Sequence, residues 1–505
     1  MPIELGSGPA PEVGPASPVK RDANYVFYEL TRSICPNCRR VIDAKILLRD
    51  DKVYMSKRCP DCGPFEALVY GDAQAYTNFS KFNKPGTIPL AFGTEIKDGC
   101  PHDCGLCPDH QQHACLGIIE VNSACNMDCP LCFADAKPGF SLTLEEVEAM
   151  LDDYVRTEGN PEVIQFSGGE PTIHPDFLRV LEYAVARPID IVMINTNGIR
   201  FAHDERMLDA VAAHGPRVEV YLQFDGFEDR SAEVLRGERL VETKLKAVEA
   251  LGRRGIKTSL VCTLHPGVND HEVGKIVGFG VERPWITGIS FQPATYSGRH
   301  VLPEELEQRI TFPDVIKAIA QQTGGVFRED DFMPLPCAHP NCHSLTYAFR
   351  NDGKVTPLMR FIDARKHLDI LANGILFSRN AARKLIEKYL DRVGGCGIGC
   401  FPEGNGDGSH SDDPTEAAAS EFFARAVAEQ LSQADVFRIT ITSFLDAYNF
   451  DVRRLMKCCI HHVLPSGHVI PFCAYNVLYR EGHAALPALR DAGVVGEPAT
   501  IHLGN

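Results

Sequence analysis

Three cysteines in Cys125-Asn-Met-Asp-Cys129-Pro-Leu-Cys132, followed at once by Phe133, stand closest to chemistry in this chain. Thiolate sulfur is a soft donor that holds zinc and iron–sulfur clusters. A [4Fe–4S] cluster normally takes four cysteines, and this run supplies three, which leaves one iron free to bind a small molecule. A zinc knuckle or an ordinary ferredoxin cluster uses the same residue type, so the surrounding elements must decide.

Downstream, short apolar runs alternate with helical patterns. Gly117–Val121, Val163–Phe166, Ile191–Asn195, Val218–Phe224, Thr258–Leu264 and Ile286–Phe291 read as strands. Thr143-Leu-Glu-Glu146 reads as a capping box opening a helix to Arg156. Pro175–Ala186, Glu205–Ala213, Glu242–Arg253 and His271–Val277 read as further helices. Near-continuous apolar strands separated by helices predict the α/β class, with a parallel sheet and right-handed crossovers. Polar motifs fall at the strand ends: Ser167-Gly168-Gly169-Glu170-Pro171, Asn195-Thr196-Asn197-Gly198 and Gln223-Phe224-Asp225-Gly226, with Arg236 just beyond. Each alone is ordinary turn chemistry; their order behind the cysteines is not.

Triad and motifs together resemble the radical S-adenosylmethionine (SAM) superfamily. The resemblance implies a partial (β/α)6 barrel over residues 117–300, with SAM chelated to the open iron held by Cys125, Cys129 and Cys132. Reductive cleavage of SAM would then give a 5'-deoxyadenosyl radical. Gly168, Gly169, Glu170, Pro171 and Asn197 are expected around SAM, Asp225 at its ribose, and Arg236 at its carboxylate.

The remaining sixteen of 19 cysteines suggest more metal. Cys35-Pro-Asn-Cys38 and Cys59-Pro-Asp-Cys62 suit one tetrahedral site, either rubredoxin-like iron or zinc-ribbon zinc, flanked by a hairpin turning at Arg49-Asp50-Asp51. Cys100, Cys104 and Cys107 repeat the triad spacing, and Cys115 is either a local fourth ligand or a free thiol. Four of Cys337, Cys342, Cys458, Cys459 and Cys473 suit another site. Adjacent side chains diverge, so one of Cys458 and Cys459 is expected to ligate, and Cys458 is taken with Cys337, Cys342 and Cys473. Cys262 reads as a core residue. Cys396 and Cys400 have no assigned role. Close-spaced cysteines without a secretory signal point to a reducing, cytoplasmic setting.

Along most of its length the chain resembles the tetraether lipid synthases. Gly99–Pro108, His113–Val121, Leu445–Phe450 and Pro465–Asn476 carry the likeness. It implies a SAM cluster, two auxiliary [4Fe–4S] clusters and a rubredoxin-like site. It further implies hydrogen abstraction from lipid chains, a carbon–carbon bond between two chain termini, and a low-potential donor such as a ferredoxin or flavodoxin. A radical SAM transferase that methylates or methylene-couples a small heterocycle such as a pterin is the alternative. A non-catalytic cluster carrier has no need of the Gly-Gly-Glu-Pro element.

Composition bounds these readings. Fifty-one basic against 67 acidic residues, a net charge of −16, disfavour a nucleic-acid surface. No apolar run reaches the roughly 18 residues of a membrane-spanning helix, so contact with a membrane would be peripheral at most. Expected boundaries are a flexible tail (1–24), a rubredoxin-like or zinc-ribbon domain (25–92) and an auxiliary-cluster segment (93–116). The barrel (117–300) follows, then a helical extension with cluster ligands (301–401), a linker (402–420) and a C-terminal auxiliary-cluster domain (421–505). Leu368–Phe377 and the stripes at Phe312, Ile316, Ile319 and at Phe422, Phe423, Ala426, Val427, Leu431 suit either core packing or a lipid tunnel.

Overall fold

Short connections between consecutive strands build the N-terminal module. Strands β1 (Val26–Ile34), β2 (Val41–Arg49), β3 (Lys52–Cys59) and β4 (Gly63–Tyr70) form an antiparallel sheet in that order. Asp50 and Asp51 turn β2 into β3 with φ of 51° and 57°, the left-handed pair that a tight hairpin demands and that Asp tolerates. Both cysteine knuckles lie at one end of the sheet. Lys57 Nζ donates to Ser33 Oγ and to the Ala447 carbonyl (3.0 and 2.7 Å), and Thr31 Oγ1 donates to Asp451 (2.7 Å). The module is thereby tied to the C-terminal part of the chain.

The computed structural model describes residues 22–363 and 414–490, apart from positions 85, 301, 303, 304, 352 and 429. Leu368–Phe377, Cys396, Cys400, most of the expected tail and residues 402–413 of the expected linker lie outside the described residues.

Six parallel strands follow helix α1 (Ala73–Ser80): β5 (Leu116–Asn122), β6 (Val163–Gly168), β7 (Ile191–Thr196), β8 (Val218–Gln223), β9 (Lys257–Leu264) and β10 (Ile286–Pro293). They lie side by side in sequence order. Crossovers are α2 (Leu144–Glu158), α3 (Phe177–Val185), α4 (Glu205–Ala212), the pair α5 (Asp229–Arg236) and α6 (Val241–Arg253), and α7 (Val273–Val281). The capping box at Thr143 is made in both directions, at 2.7 and 3.2 Å. One apolar core joins the outer face of the sheet to these helices and takes in Phe166, Phe224 and Phe291. An inward cluster of Leu116, Ile118, Val163, Ile191 and Met193 lies on the other face. This is the expected α/β partial barrel.

The C-terminal third departs from the expected layout. Helix α8 (Phe312–Gln322) is present, but β11 (Met333–Pro334), β12 (His343–Asn351) and β13 (Lys354–Pro357) replace the rest of the helical extension among the described residues. Ser344–Phe349 is almost continuously buried, as suits an inner strand covered on both faces. Part of the expected linker is helix α9 (Pro414–Val427), where Pro starts an Ala/Glu-rich run of high helix propensity. Nor is the C-terminal segment a separate domain. Strand β14 (Val436–Thr442) extends the sheet beyond β10 and pairs on its other side with β12. After α10 (Val452–Met456), β15 (Ile460–Val463) pairs in parallel with β5, and β16 (Val469–Pro471) follows. Residues 443–459 therefore bridge the two edges of the barrel. Phe422 and Phe423 are buried against Phe349, Leu358 and Ile362, and Phe312, Ile316 and Ile319 lie in the main core. Ala426 and Leu431 pack on the first of these groups, so both stripes are core packing at the positions whose side chains are described.

Because the four N-terminal thiols lie within 4.8 Å of one another, metal should carry much of that module's stability. Stripping it with a chelator, or Cys59→Ser, is expected to open residues 26–70 to limited proteolysis first. The barrel, whose strands and helices supply most of the main core, should resist; simultaneous digestion of both would refute independent stapling.

Candidate active site

Cysteines 125, 129 and 132 sit half-buried on the loop that leaves β5. The ends of β6 and β7 hold that loop in place. Gly169 N donates to the Asn122 carbonyl and Glu170 N to the Ala124 carbonyl, both at 2.9 Å. A Cβ on Gly168 would meet the Asn122 oxygen at 2.0 Å, and one on Gly169 would meet the Ala124 oxygen at 2.0 Å. The glycines thus let β6 press against the backbone of the cysteine loop, a close approach the sequence reading had assigned to SAM alone. Gly169→Ala, whose φ is unremarkable, tests the contact by size. Moving the loop should cost about 1–3 kcal/mol and lower iron uptake on reconstitution, with zinc content unchanged.

Glu170 is buried and fully engaged. One carboxylate oxygen accepts from Thr172 N (3.1 Å), Thr172 Oγ1 (2.5 Å) and Thr196 Oγ1 (2.7 Å); the other accepts from Asn197 N (2.8 Å). It positions the β7 turn. Pro171 opens the short turn after it and is also buried. Asn197 Nδ2 donates to Asn126 Oδ1 (2.7 Å), between the first two cysteines.

Asp225 and Arg236 form a buried bidentate pair at 2.6 and 2.8 Å. Arg236 also donates to Gln223 (3.1 Å) and Thr263 (3.0 Å), while Thr263 N donates to Asp225 (3.0 Å). A polar belt runs from Ser167 through Asn195 to Gln223 across three strand ends. Asp225 therefore holds Arg236 in place, whereas the sequence reading had it free for a ribose. Behind this pair, Lys244 donates to the Asn197 carbonyl. Burial, aided by Arg236, pushes its ammonium down to about 8.

The three cysteines, Glu170, Asn197, Gln223, Arg236 and Thr263 rim a cavity of about 300 Å³ inside the barrel, with Asp225 and Lys244 behind them. Its wall carries residues the sequence reading missed. Phe133, beside the last cysteine, packs on Phe472 and Phe444 with ring centroids 5.0 and 5.3 Å away, and His462 stacks on Phe472 at 5.1 Å and 10°. Glu120 on β5 pairs with Arg480 at 2.6 and 3.0 Å. Arg480 also donates to Asn476 (2.9 Å). A charged residue inside the apolar Leu116–Val121 strand was the signal for Glu120; Phe472 and Asn476 fall in the Pro465–Asn476 segment already singled out.

The other cysteines regroup. Cys115 joins Cys337 and Cys459, all three thiols within 4.8 Å, and does not complete the set of Cys100, Cys104 and Cys107. The parallel pairing of β15 with β5 aligns Ile460 with Leu116, so the preceding Cys459 and Cys115 meet. Cys458, the one of the two taken as a ligand, is outside that group: its thiol donates to the Ile460 carbonyl (3.1 Å) and Cys473 and Cys342 are among its charged neighbours, whereas Cys459 is the one beside Cys115 and Cys337. Cys342 accepts from Arg454 Nε and Cys473 from Leu445 N, both at 3.3 Å; neither is in the group of three. Cys104 stays beside Cys100 and Cys107. Cys262 is buried in the core as expected.

A model of the radical SAM superfamily matches residues 119–280, and one of an N-terminal zinc ribbon domain, described as that of HMPTM, matches residues 27–71. The 7,8-dihydro-6-hydroxymethylpterin dimethyltransferase of Methanocaldococcus jannaschii is 34% identical over 481 residues, covering 89% of this chain and 94% of that protein. GTP 3',8-cyclase of Chlorobaculum tepidum is 29% identical over 161 residues, 32% of this chain and 48% of the cyclase. Among solved structures, Streptococcus suis SuiB bound to its precursor peptide SuiA aligns with a TM-score of 0.36 and 16% identity, over 43% of this chain and 46% of SuiB. The lipid-joining expectation, and with it carbon–carbon coupling of chain termini, is overturned by the relative matched end to end, which is named a pterin dimethyltransferase. Among the described residues no helix is long and apolar enough to cross a membrane. The chain belongs to the radical SAM superfamily, in the zinc-ribbon-bearing family of that pterin dimethyltransferase.

Proposed function

We propose that this protein is a radical SAM methyltransferase acting on a small, reduced, planar heterocycle of the pterin class. The observation that carries the reading is the cavity, whose aromatic wall of Phe133, Phe444, Phe472 and His462 begins beside Cys132. Flat rings suit such a wall, and the volume is at the small-molecule end of ligand sites. The relative's name supplies the substrate class.

The residues present suit the groups this family implies. Three thiols on one loop, steadied by the glycine contact, offer an incomplete cluster shell, and Arg236 together with the Asn197 turn rims the adjoining space. When held there, a [4Fe–4S] cluster with SAM supplies the one-electron chemistry that activates an unreactive carbon. The chain's own part is to exclude water with the inward apolar cluster, to fix the ring plane, and to hold Arg236 for a carboxylate. Cys100, Cys104 and Cys107, and separately Cys115, Cys337 and Cys459, are our candidates for auxiliary cluster ligands. Zinc belongs at Cys35, Cys38, Cys59 and Cys62. A low-potential donor such as a ferredoxin or flavodoxin would deliver the electron.

The test is anaerobic turnover of reduced, cluster-reconstituted protein with SAM and 7,8-dihydro-6-hydroxymethylpterin, read by mass spectrometry. Expected are deoxyadenosine, S-adenosylhomocysteine and a pterin heavier by one or two methyl groups. Deoxyadenosine beside an unchanged pterin would overturn the reading.

A further inference from the structure

An ion pair buried in an apolar barrel needs a reason. Glu120 and Arg480 come from distant parts of the chain, are 11% and 17% exposed at the side chain, and both face the cavity. Burial works against the Glu120 carboxylate, but Arg480 outweighs it and keeps the group below the usual carboxylate range. As a purely structural device this is a poor choice, because a well-packed apolar pair would serve as well or better.

The geometry of the pair offers recognition. Arg480 meets both carboxylate oxygens through its two terminal nitrogens, at 2.6 and 3.0 Å, and uses Nε on Asn476. A fork of that kind consumes one hydrogen on each terminal nitrogen and one lone pair on each oxygen. The second hydrogen and the second lone pair remain, side by side on the flank of the pair. A donor beside an acceptor complements an acceptor beside a donor, which is the edge of a lactam: a ring C=O next to a ring N–H.

We infer that the Glu120–Arg480 pair is the element that reads the lactam edge of the heterocyclic substrate, with Phe472 and His462 supplying the face. The inference rests on the pterin reading and adds what that reading lacks, the edge by which one ring is told from another. Asn476 fixes Arg480 in rotation and is a positioning residue. Held in the same pose, a ring whose carbonyl is replaced by an amino group loses both hydrogen bonds, since its ring nitrogen no longer carries a proton. It must turn over to regain them. Sites built to hydrogen-bond an edge reject a ligand that leaves their buried groups unpaired.

The experiment is equilibrium binding to the full, reconstituted chain with SAM, comparing 6-hydroxymethylpterin with 2,4-diamino-6-hydroxymethylpteridine by their own fluorescence. The expected preference for the lactam ring is about tenfold or more. Glu120→Gln and Arg480→Lys should shrink that preference to within about threefold, while affinity for the diamino ring changes little. Equal binding of the two rings by the unaltered protein would overturn the edge reader and leave the pterin reading standing. Binding of neither ring would overturn both. Variants that keep iron and zinc content and keep the full preference would show that the pair is structural, against the inference.

Discussion

Cys129→Ala is expected to reduce SAM cleavage to the uncatalysed background while the protein remains folded. The side chain is half-buried on a loop whose backbone, not its thiols, makes the contacts to β6. Removing one thiol therefore leaves Gly169 and Glu170 bound to the carbonyls of Asn122 and Ala124. The loss should appear as about four iron atoms per chain, with zinc unchanged. Cys459→Ala should behave differently. It removes one of the three thiols that meet at the β5–β15 junction, so iron falls by a similar amount while reductive SAM cleavage persists and substrate turnover stops. Cys458→Ala, its side chain turned to the Ile460 carbonyl, should keep both iron and turnover. Equal iron loss in the Cys458 and Cys459 variants would undo the ligand assignment.

The contrast between those neighbours marks where the sequence stopped being readable. Strands β5 to β10 were legible because each is a continuous apolar run, the mark of a parallel strand covered on both faces. The motifs at their ends were legible because barrel chemistry gathers there. Helix α5 was not legible: Asp229–Arg236 is largely polar, with Ser231, Ala232 and Leu235 its buried residues. Pairing of β15 with β5 joins residues some 340 positions apart, and no local pattern encodes that. Without it Cys115 looked like a partner for Cys107, and Cys458 was indistinguishable from Cys459. Asp225 and Arg236 were chosen correctly as residues of the site, yet their pairing was invisible, since both had been assigned to SAM. The lipid expectation came from whole-chain resemblance, and the cavity residues within the resembling segments, Phe472 and Asn476 among them, do not by their type name a substrate.

Arg236 carries the second large effect, and the pair it forms makes the effect separable. Arg236→Ala leaves Asp225, 5% exposed at the side chain, with a buried and uncompensated charge. Such a loss costs about 3–5 kcal/mol, which should lower the melting temperature by several degrees in a chain of this size. SAM affinity should fall at the same time, because the guanidinium that Asp225 holds at the rim of the cavity is no longer there to meet a carboxylate. Arg236→Lys keeps a charge but loses the fork to Asp225 and the contacts to Gln223 and Thr263, so it should recover part of the stability and little of the affinity. The double variant Asp225→Asn/Arg236→Met separates the two roles. Removing both charges relieves the unpaired carboxylate and should restore most of the melting temperature. SAM binding, measured by equilibrium dialysis of the reconstituted protein, should stay at the level of Arg236→Ala. Recovery of SAM binding in that double variant would mean that Arg236 serves only the fold, and that the carboxylate of SAM is met elsewhere.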